Sequence, residues 1–114
     1  MKTYKRERDW TDLDHLQFLV GCWGDRTFPS HKQSGVRGPV YHLREEVEEL
    51  IERFEVGEDI SAEAADCGIL LLMVAHLADF SLDDAIQEKH RINENRTWGP
   101  PDENGICHHR HEEE

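Results

Sequence analysis

Positive charge is scarce in this chain. Thirteen Lys and Arg stand against 25 Asp and Glu, a formal net charge of −12 with His neutral. So acidic a chain does not draw in a phosphate backbone over long range, which argues against general nucleic-acid binding. A protein of this kind that handles a polyanion needs a local device, either bound metal or a few placed cations. A DNA-mimicking decoy would also be acidic, so charge alone does not set the class. Cysteine is sparse too. Cys22, Cys67 and Cys107 are odd in number and widely spaced, which argues against a disulfide framework and for a reducing cytoplasm. The charged N-terminus has no apolar segment behind it that would make a signal peptide. The longest apolar run, 69–75, is too short to span a bilayer, so no membrane partner is expected. Repeats and low-complexity tracts are lacking apart from the acidic tip 112–114, and no segment reads as a convincing strand.

What is present fits one domain over 1–114, with 1–10 and 109–114 as peripheral tails. At 114 residues the core is modest, and pairing with a second copy would help it. The apolar residues, 37% of the chain against 33% charged, come in helical order. A first helix spans about 12–23, capped by Thr11 with Asp14 as reciprocal partner, with Leu13, Leu16, Val20 and Trp23 at helical spacing. The loop 24–39 is long enough to be functional or mobile. A second helix spans 41–56 and ends at Gly57. Its stripe is Leu43, Val47, Leu50, Ile51 and Phe54. A third follows Ser61 as N-cap and runs to Ala78, apolar almost all round. A fourth follows Ser81, with Asp84 completing a capping box, and reaches about Arg96 before Trp98-Gly99-Pro100-Pro101 stops it. The tail from Asp102 reads as irregular. The fold class is all-α, a four-helix bundle with a long loop between its first two helices.

The second helix carries five glutamates, and at about 100° per residue they are not equivalent. Glu45, Glu48 and Glu52 point to water. Glu46 lies at the edge of the apolar stripe with Glu49 next to it, one above the other. The third helix opens with Glu63 and Asp66 on the same face as Ile69, Leu70, Met73 and Leu77. Two carboxylates buried on an apolar face are costly unless cations compensate, and no Lys or Arg lies between Arg53 and Lys89. If these helices pack antiparallel, four acids converge, an oxygen-ligand set suited to Mg²⁺ or Mn²⁺. For each pair alone, a solvated face or helix N-terminal acids is the simpler explanation. On the fourth helix Lys89, Asn93 and Arg96 continue the stripe begun by Leu82 and Ile86, where the cations could hold phosphate oxygens. Trp23, Phe28 and Trp98 are candidate stacking surfaces for a base, and His42 is a candidate cavity residue. Cys107-His108-His109-Arg110-His111 has adjacent ligands, unlike a spaced zinc site.

The chain resembles the all-α NTP pyrophosphatase superfamily, the MazG-like and dimeric dUTPase-like proteins, whose EExxE and ExxD motifs match Glu45-Glu46-Val47-Glu48-Glu49 and Glu63-Ala64-Ala65-Asp66. Within it the chain is similar to the phage dATP/dGTP pyrophosphohydrolases, MazZ-type proteins included. That likeness is carried by His42-Leu43-Arg44-Glu45-Glu46, by Ala65-Asp66, by the string Lys89, Asn93, Arg96, Trp98, Gly99, and by Asp102, Gly105 and His108. It covers about 23–108. The loop from Arg26 to Arg37 departs from it. The resemblance implies Glu46, Glu49, Glu63 and Asp66 as ligands for two or more Mg²⁺ or Mn²⁺ ions. It implies Glu46, Glu49, Lys89 and Arg96 in catalysis, and substrate contacts from Lys89, Asn93, Arg96, Trp98, His42 and Trp23. It also implies a purine deoxynucleoside triphosphate substrate and a homo-oligomer, dimer or tetramer. Rivals are a dUTP, dCTP or phosphoribosyl-ATP pyrophosphatase or a general house-cleaning NTPase of the same superfamily, the DNA mimic, and a ferritin-like di-iron bundle. The last needs Glu-x-x-His pairs that these core helices lack.

Overall fold

The computed structural model describes residues 5–110. His111 of the candidate zinc string and the acidic tip lie outside them. The chain divides into two compact units, the first ending at Asp83 and the second beginning at Asp84.

The first unit contains a 3₁₀ turn, Glu7–Asp9, then α1 (Asp12–Thr27), α2 (His31–Ser34), α3 (Arg37–Glu55) and α4 (Ser61–Ala78). Helix α4 is central, with α1 and α3 both packed on it. Its buried residues are Leu70, Leu72, Met73, Ala75 and His76. At 18 residues and a mean hydropathy of 1.4 it is long and apolar enough, by those measures alone, to cross a membrane. The seven-residue run read from the sequence understated this. Only 28% of it is buried among the described residues, yet α1 and α3 both pack on it and it opens with Glu63 and Asp66.

Thr11 caps α1 as its sequence dictates: its hydroxyl accepts the Asp14 N–H, and Asp14 accepts the Thr11 N–H. The buried face of α1 is not the apolar stripe. It is Asp14, Gln17, Gly21 and Gly24, while Leu16, Leu19 and Trp23 stay exposed. Two causes explain the reversal. Glycine lets the helices close: a Cβ at Gly21 would lie 2.2 Å from His76 Nδ1. The polar pair fastens the turn after α4. Gln17 donates to the Phe80 carbonyl (2.8 Å) and accepts the Leu82 N–H (3.0 Å). Ser81 donates its hydroxyl to Asp14 Oδ1 at 2.6 Å. Buried His76 meets Asp25 at 2.8 Å through Nε2.

The segment expected as a terminal tail also contributes, since Lys5 Nζ donates to Asp14 Oδ2 at 2.6 Å and Trp10 packs on His15 and Phe18. The expected long loop is largely helical. Helix α1 runs on to Thr27, α2 follows Pro29-Ser30 and stops at Gly35, which takes φ +60°, and α3 begins at Arg37. Ser61 is the first residue of α4 rather than its N-cap, which falls on Ile60, a residue with no side-chain cap bond. The Asp59 carboxylate fills that role by accepting the Ser61 N–H at 2.9 Å, a bond that holds Asp59 below the usual carboxylate range.

Helix α5 (Leu82–Glu94), all but its first two residues in the second unit, stops two residues before Arg96, where tight backbone bonds from Asn95 to Ile92 and from Arg96 to Asn93 take over. The tail is not irregular. Strands β1 (Thr97–Pro101) and β2 (Cys107–Arg110) form an antiparallel hairpin pairing Trp98 with His109, with a bulge before Pro101. Asp102 builds its tip, accepting N–H bonds from Asn104 and Ile106 at 2.8 and 3.0 Å, and Gly105 supplies φ +83°.

Candidate active site

Helices α3 and α4 are joined by the short connection 56–60 and pack along their lengths, so the chain returns on itself. The period of three that aligns Glu46 with Glu49 and Glu63 with Asp66 then sets the two pairs against each other. Their electrostatics show it. Glu49 titrates above the ordinary glutamate range. The largest cause is a side-chain hydrogen bond shared with Glu46, followed by the charge of Glu46, lost hydration, and the charges of Glu63 and Asp66. Glu49 thus feels the other three acids picked out in the sequence.

Little positive charge offsets them. His42 Nε2 lies 3.2 Å from Glu46 Oε1, and Arg53 Nε lies 3.8 Å from Glu63 Oε2, but Arg53 also bonds Glu58 at 2.7 Å. The other oxygen of Glu46, Oε2, is buried without a hydrogen-bond partner. Burial and then the charges of Glu46 and Asp66 push the Cys67 thiol up, so it is a poor nucleophile.

Expected burial fails at one acid. Asp66 is exposed and Glu63 half-buried. The first turns of α4 otherwise offer Ala62, Ala64 and Ala65, too small to cover a carboxylate, and the apolar floor begins only at Ile69. A divalent cation fits this donor set: hard oxygen ligands, net repulsion, and a buried oxygen with no partner. Among the described residues no three His, Cys, Asp or Glu side chains close on one point as they stand, so the carboxylates would have to rotate to grip an ion.

Beside the acids opens a cavity of about 290 Å³ lined by Trp23, Phe28, Ser30, His31, Gly38, Pro39, His42, Glu46, Asp66, Ile69, Leu70 and Met73. Trp23 and His42, both singled out from the sequence, line it with two of the acids, and Glu49 and Glu63 do not. Trp23 meets Phe28 edge-on at 5.4 Å, and Phe28 meets His31 at 5.2 Å, giving an aromatic wall. Ser30, His31, Pro39 and Met73 were not anticipated. Pro29-Ser30 before a short helix and Gly35 after it are ordinary start and stop signals that would have exposed this segment.

In the second unit, Asn93 gathers its neighbours. Arg96 Nη1 donates to its Oδ1 at 3.2 Å, and Trp98 Nε1 donates to its carbonyl at 2.9 Å. Trp98 also packs on His109, and His108 Nε2 lies 3.2 Å from Asp102 Oδ2. Lys89 is exposed on α5.

Comparison with known proteins agrees with this picture. A family model described as dATP/dGTP pyrophosphohydrolase matches residues 19–114. A dATP/dGTP diphosphohydrolase of Salmonella phage PMBT28 is 33% identical over 98 residues, 85% of this chain. The match spans only 31% of that phage protein's length. Among solved structures, the cyanophage S-2L MazG-like pyrophosphohydrolase, bound to dGDP and three catalytic Mn²⁺ ions per active site, superposes with a TM-score of 0.70 at 28% identity. That superposition covers 90% of this chain and 100% of the cyanophage one. The fold is therefore MazG-like, and the chain belongs to the dATP/dGTP pyrophosphohydrolase family.

Proposed function

We propose that this protein is a divalent-metal-dependent hydrolase of purine deoxynucleoside triphosphates, cutting the α–β phosphoanhydride to release a nucleoside monophosphate and pyrophosphate. One observation carries the reading: four carboxylates on α3 and α4 repel one another beside an aromatic-walled cavity, and one buried oxygen, Glu46 Oε2, has no partner. The metal-bound cyanophage neighbour supports the same assignment. Glu46, Glu49, Glu63 and Asp66 hold the ions, Mg²⁺ or Mn²⁺, two or more per site. When bound there, such ions would neutralise the triphosphate and lower the pKa of the attacking water. Glu49, whose pKa is already raised, accepts the proton of that water, with Glu46 sharing it. Trp23 and Phe28 offer the base an apolar wall, and His42 keeps Glu46 oriented. For Lys89, Asn93, Arg96 and Trp98 the roles rest on the resemblance: the cations hold phosphate oxygens, Asn93 a sugar or phosphate oxygen, and Trp98 the substrate's apolar face. The chain acts as a homo-oligomer in a reducing compartment, consistent with its three free cysteines. With dGTP as substrate the product is dGMP, the precursor for making a 2-aminoadenine nucleotide.

Pyrophosphate release from a panel of dGTP, dATP, dUTP and dCTP with Mg²⁺ or Mn²⁺ tests the reading. Metal-dependent release led by the purine nucleotides is expected. Release led by dUTP or dCTP would move the protein to another branch, and no release from any nucleotide would leave the acidic-decoy alternative.

A further inference from the structure

Helix α3 has a face that stays exposed among the described residues. Val40, Val47, Ile51 and Phe54 are 45, 38, 49 and 68% exposed, and their spacing of seven and four draws a continuous apolar strip on one side of the helix. Leu43, Glu46 and Leu50, on the side toward α4, are half-buried. The charges bordering the exposed strip are segregated by sign. At about 100° per residue, Arg37, Tyr41, Arg44, Glu48 and Glu55 share one edge: two cations in the N-terminal half, two acids in the C-terminal half. None of these four charged residues forms an ion pair among the described residues. Arg44 leaves Glu48 untouched one turn on, an order of charges that suits a helix poorly. It lies instead over the Tyr41 ring at 5.1 Å, with Arg37 over the same ring at 5.2 Å, so the tyrosine holds both guanidiniums in a column.

A strip of this kind is complementary to itself when reversed. We propose that α3 pairs antiparallel with α3 of a second copy about a two-fold axis near Val47. Arg44 then faces Glu48 of the second copy, Arg37 faces its Glu55, and Val40 meets the region of its Ile51 and Phe54. A two-fold contact repeats each pair twice, so four ion pairs flank one apolar seam. Glu46 and Glu49 lie on another side of the helix and stay clear of the seam. The inference rests on the reading that the chain works as a homo-oligomer, and it names the surface and register.

Charge-reversal variants followed by light scattering and native mass spectrometry test it. The wild type associates. R37E/R44E and E48R/E55R each weaken self-association by at least about tenfold, because like charges now face each other. Mixed in equal amounts, these two variants form a one-to-one complex, and the fourfold swap R37E/R44E/E48R/E55R associates like the wild type. Circular dichroism checks that the helices persist in each. A monomeric wild type, reversal variants that associate like the wild type, or a mixture that does not combine would overturn the pairing. Pyrophosphate release by the wild type is scored separately. Release with altered or absent pairing sinks only this inference, and pairing without release sinks only the catalytic reading.

Discussion

Asp14 and Glu49 are both carboxylates of the first unit, and their surroundings drive them in opposite directions. Asp14 is buried, which alone would raise its pKa, but hydrogen bonds from Lys5, Ser81 and Thr11 outweigh that and bring it down to about 2. Glu49 is exposed yet raised, because what surrounds it is Glu46, Glu63 and Asp66. Around Asp14 every charge is answered, and the group stabilises the fold. Around Glu49 negative charge is concentrated with little beyond Arg53 and His42 to answer it, and the fold bears a cost that a bound cation would remove. The first arrangement is what structural polar groups look like. The second is what a site looks like before its ligand arrives.

Experiments can push on each side of this contrast. The largest effect belongs to the acids: Asp66→Asn or Glu46→Gln should lower metal-dependent pyrophosphate release by on the order of a hundredfold or more, with the helical circular dichroism spectrum unchanged. On the packed side, Gly21→Ala forces a methyl into the His76 ring and should cost about 3 kcal/mol, read from urea unfolding. Asp14→Ala leaves Ser81 and Lys5 without their acceptor and should cost about 2 kcal/mol.

The pH dependence follows from the sign of the Asp14 shift. Its folded pKa, about 2, is below the ordinary aspartate value of 3.8. Its stabilisation is therefore complete above the unfolded value and is lost as pH falls from about 4 toward 2. The loss amounts to about 2 kcal/mol, and an Asp14→Asn variant should not show this component. The smallest effect is the most telling about Glu49. In metal-free buffer near neutral pH, Glu49→Gln should raise the unfolding temperature slightly, since it removes a repelled charge, while abolishing the metal response. A variant more stable than the wild type and inactive would mark the cluster as functional. One that is less stable would return Glu49 to an ordinary structural role.

How far the sequence led differs between these regions for a physical reason. The acid cluster was legible because a spacing of three on a helix fixes direction, so helical phase alone separates Glu46 and Glu49 from Glu45, Glu48 and Glu52. The Asp14 region was only half legible. Its capping box with Thr11 is local and was foreseen, but apolar periodicity pointed at Leu16 and Trp23, whereas the buried face is made of Asp14, Gln17, Gly21 and Gly24. Periodicity assumes that cores are apolar. Here close approach at glycine and a polar clasp on the next turn decide the packing, and the apolar face of α1 remains outside. The hairpin was missed because Pro100 and Pro101 are strand breakers by propensity. It forms around Asp102, whose side chain takes two backbone N–H groups of the turn. In the cavity, Trp23 was picked out as an aromatic face and His42 by its place before the acid block, but Ser30, His31 and Pro39 sit where a loop was expected.

The functional reading stands or falls on whether Glu46, Glu49, Glu63 and Asp66 hold divalent metal. Mn²⁺ titration followed by electron paramagnetic resonance decides this without relying on turnover, comparing the wild type with the four single amide variants. Saturable binding of more than one ion per chain is expected, weakened in every one of the four. Binding that is absent from the wild type, or unchanged when any of these carboxylates is removed, would refute it.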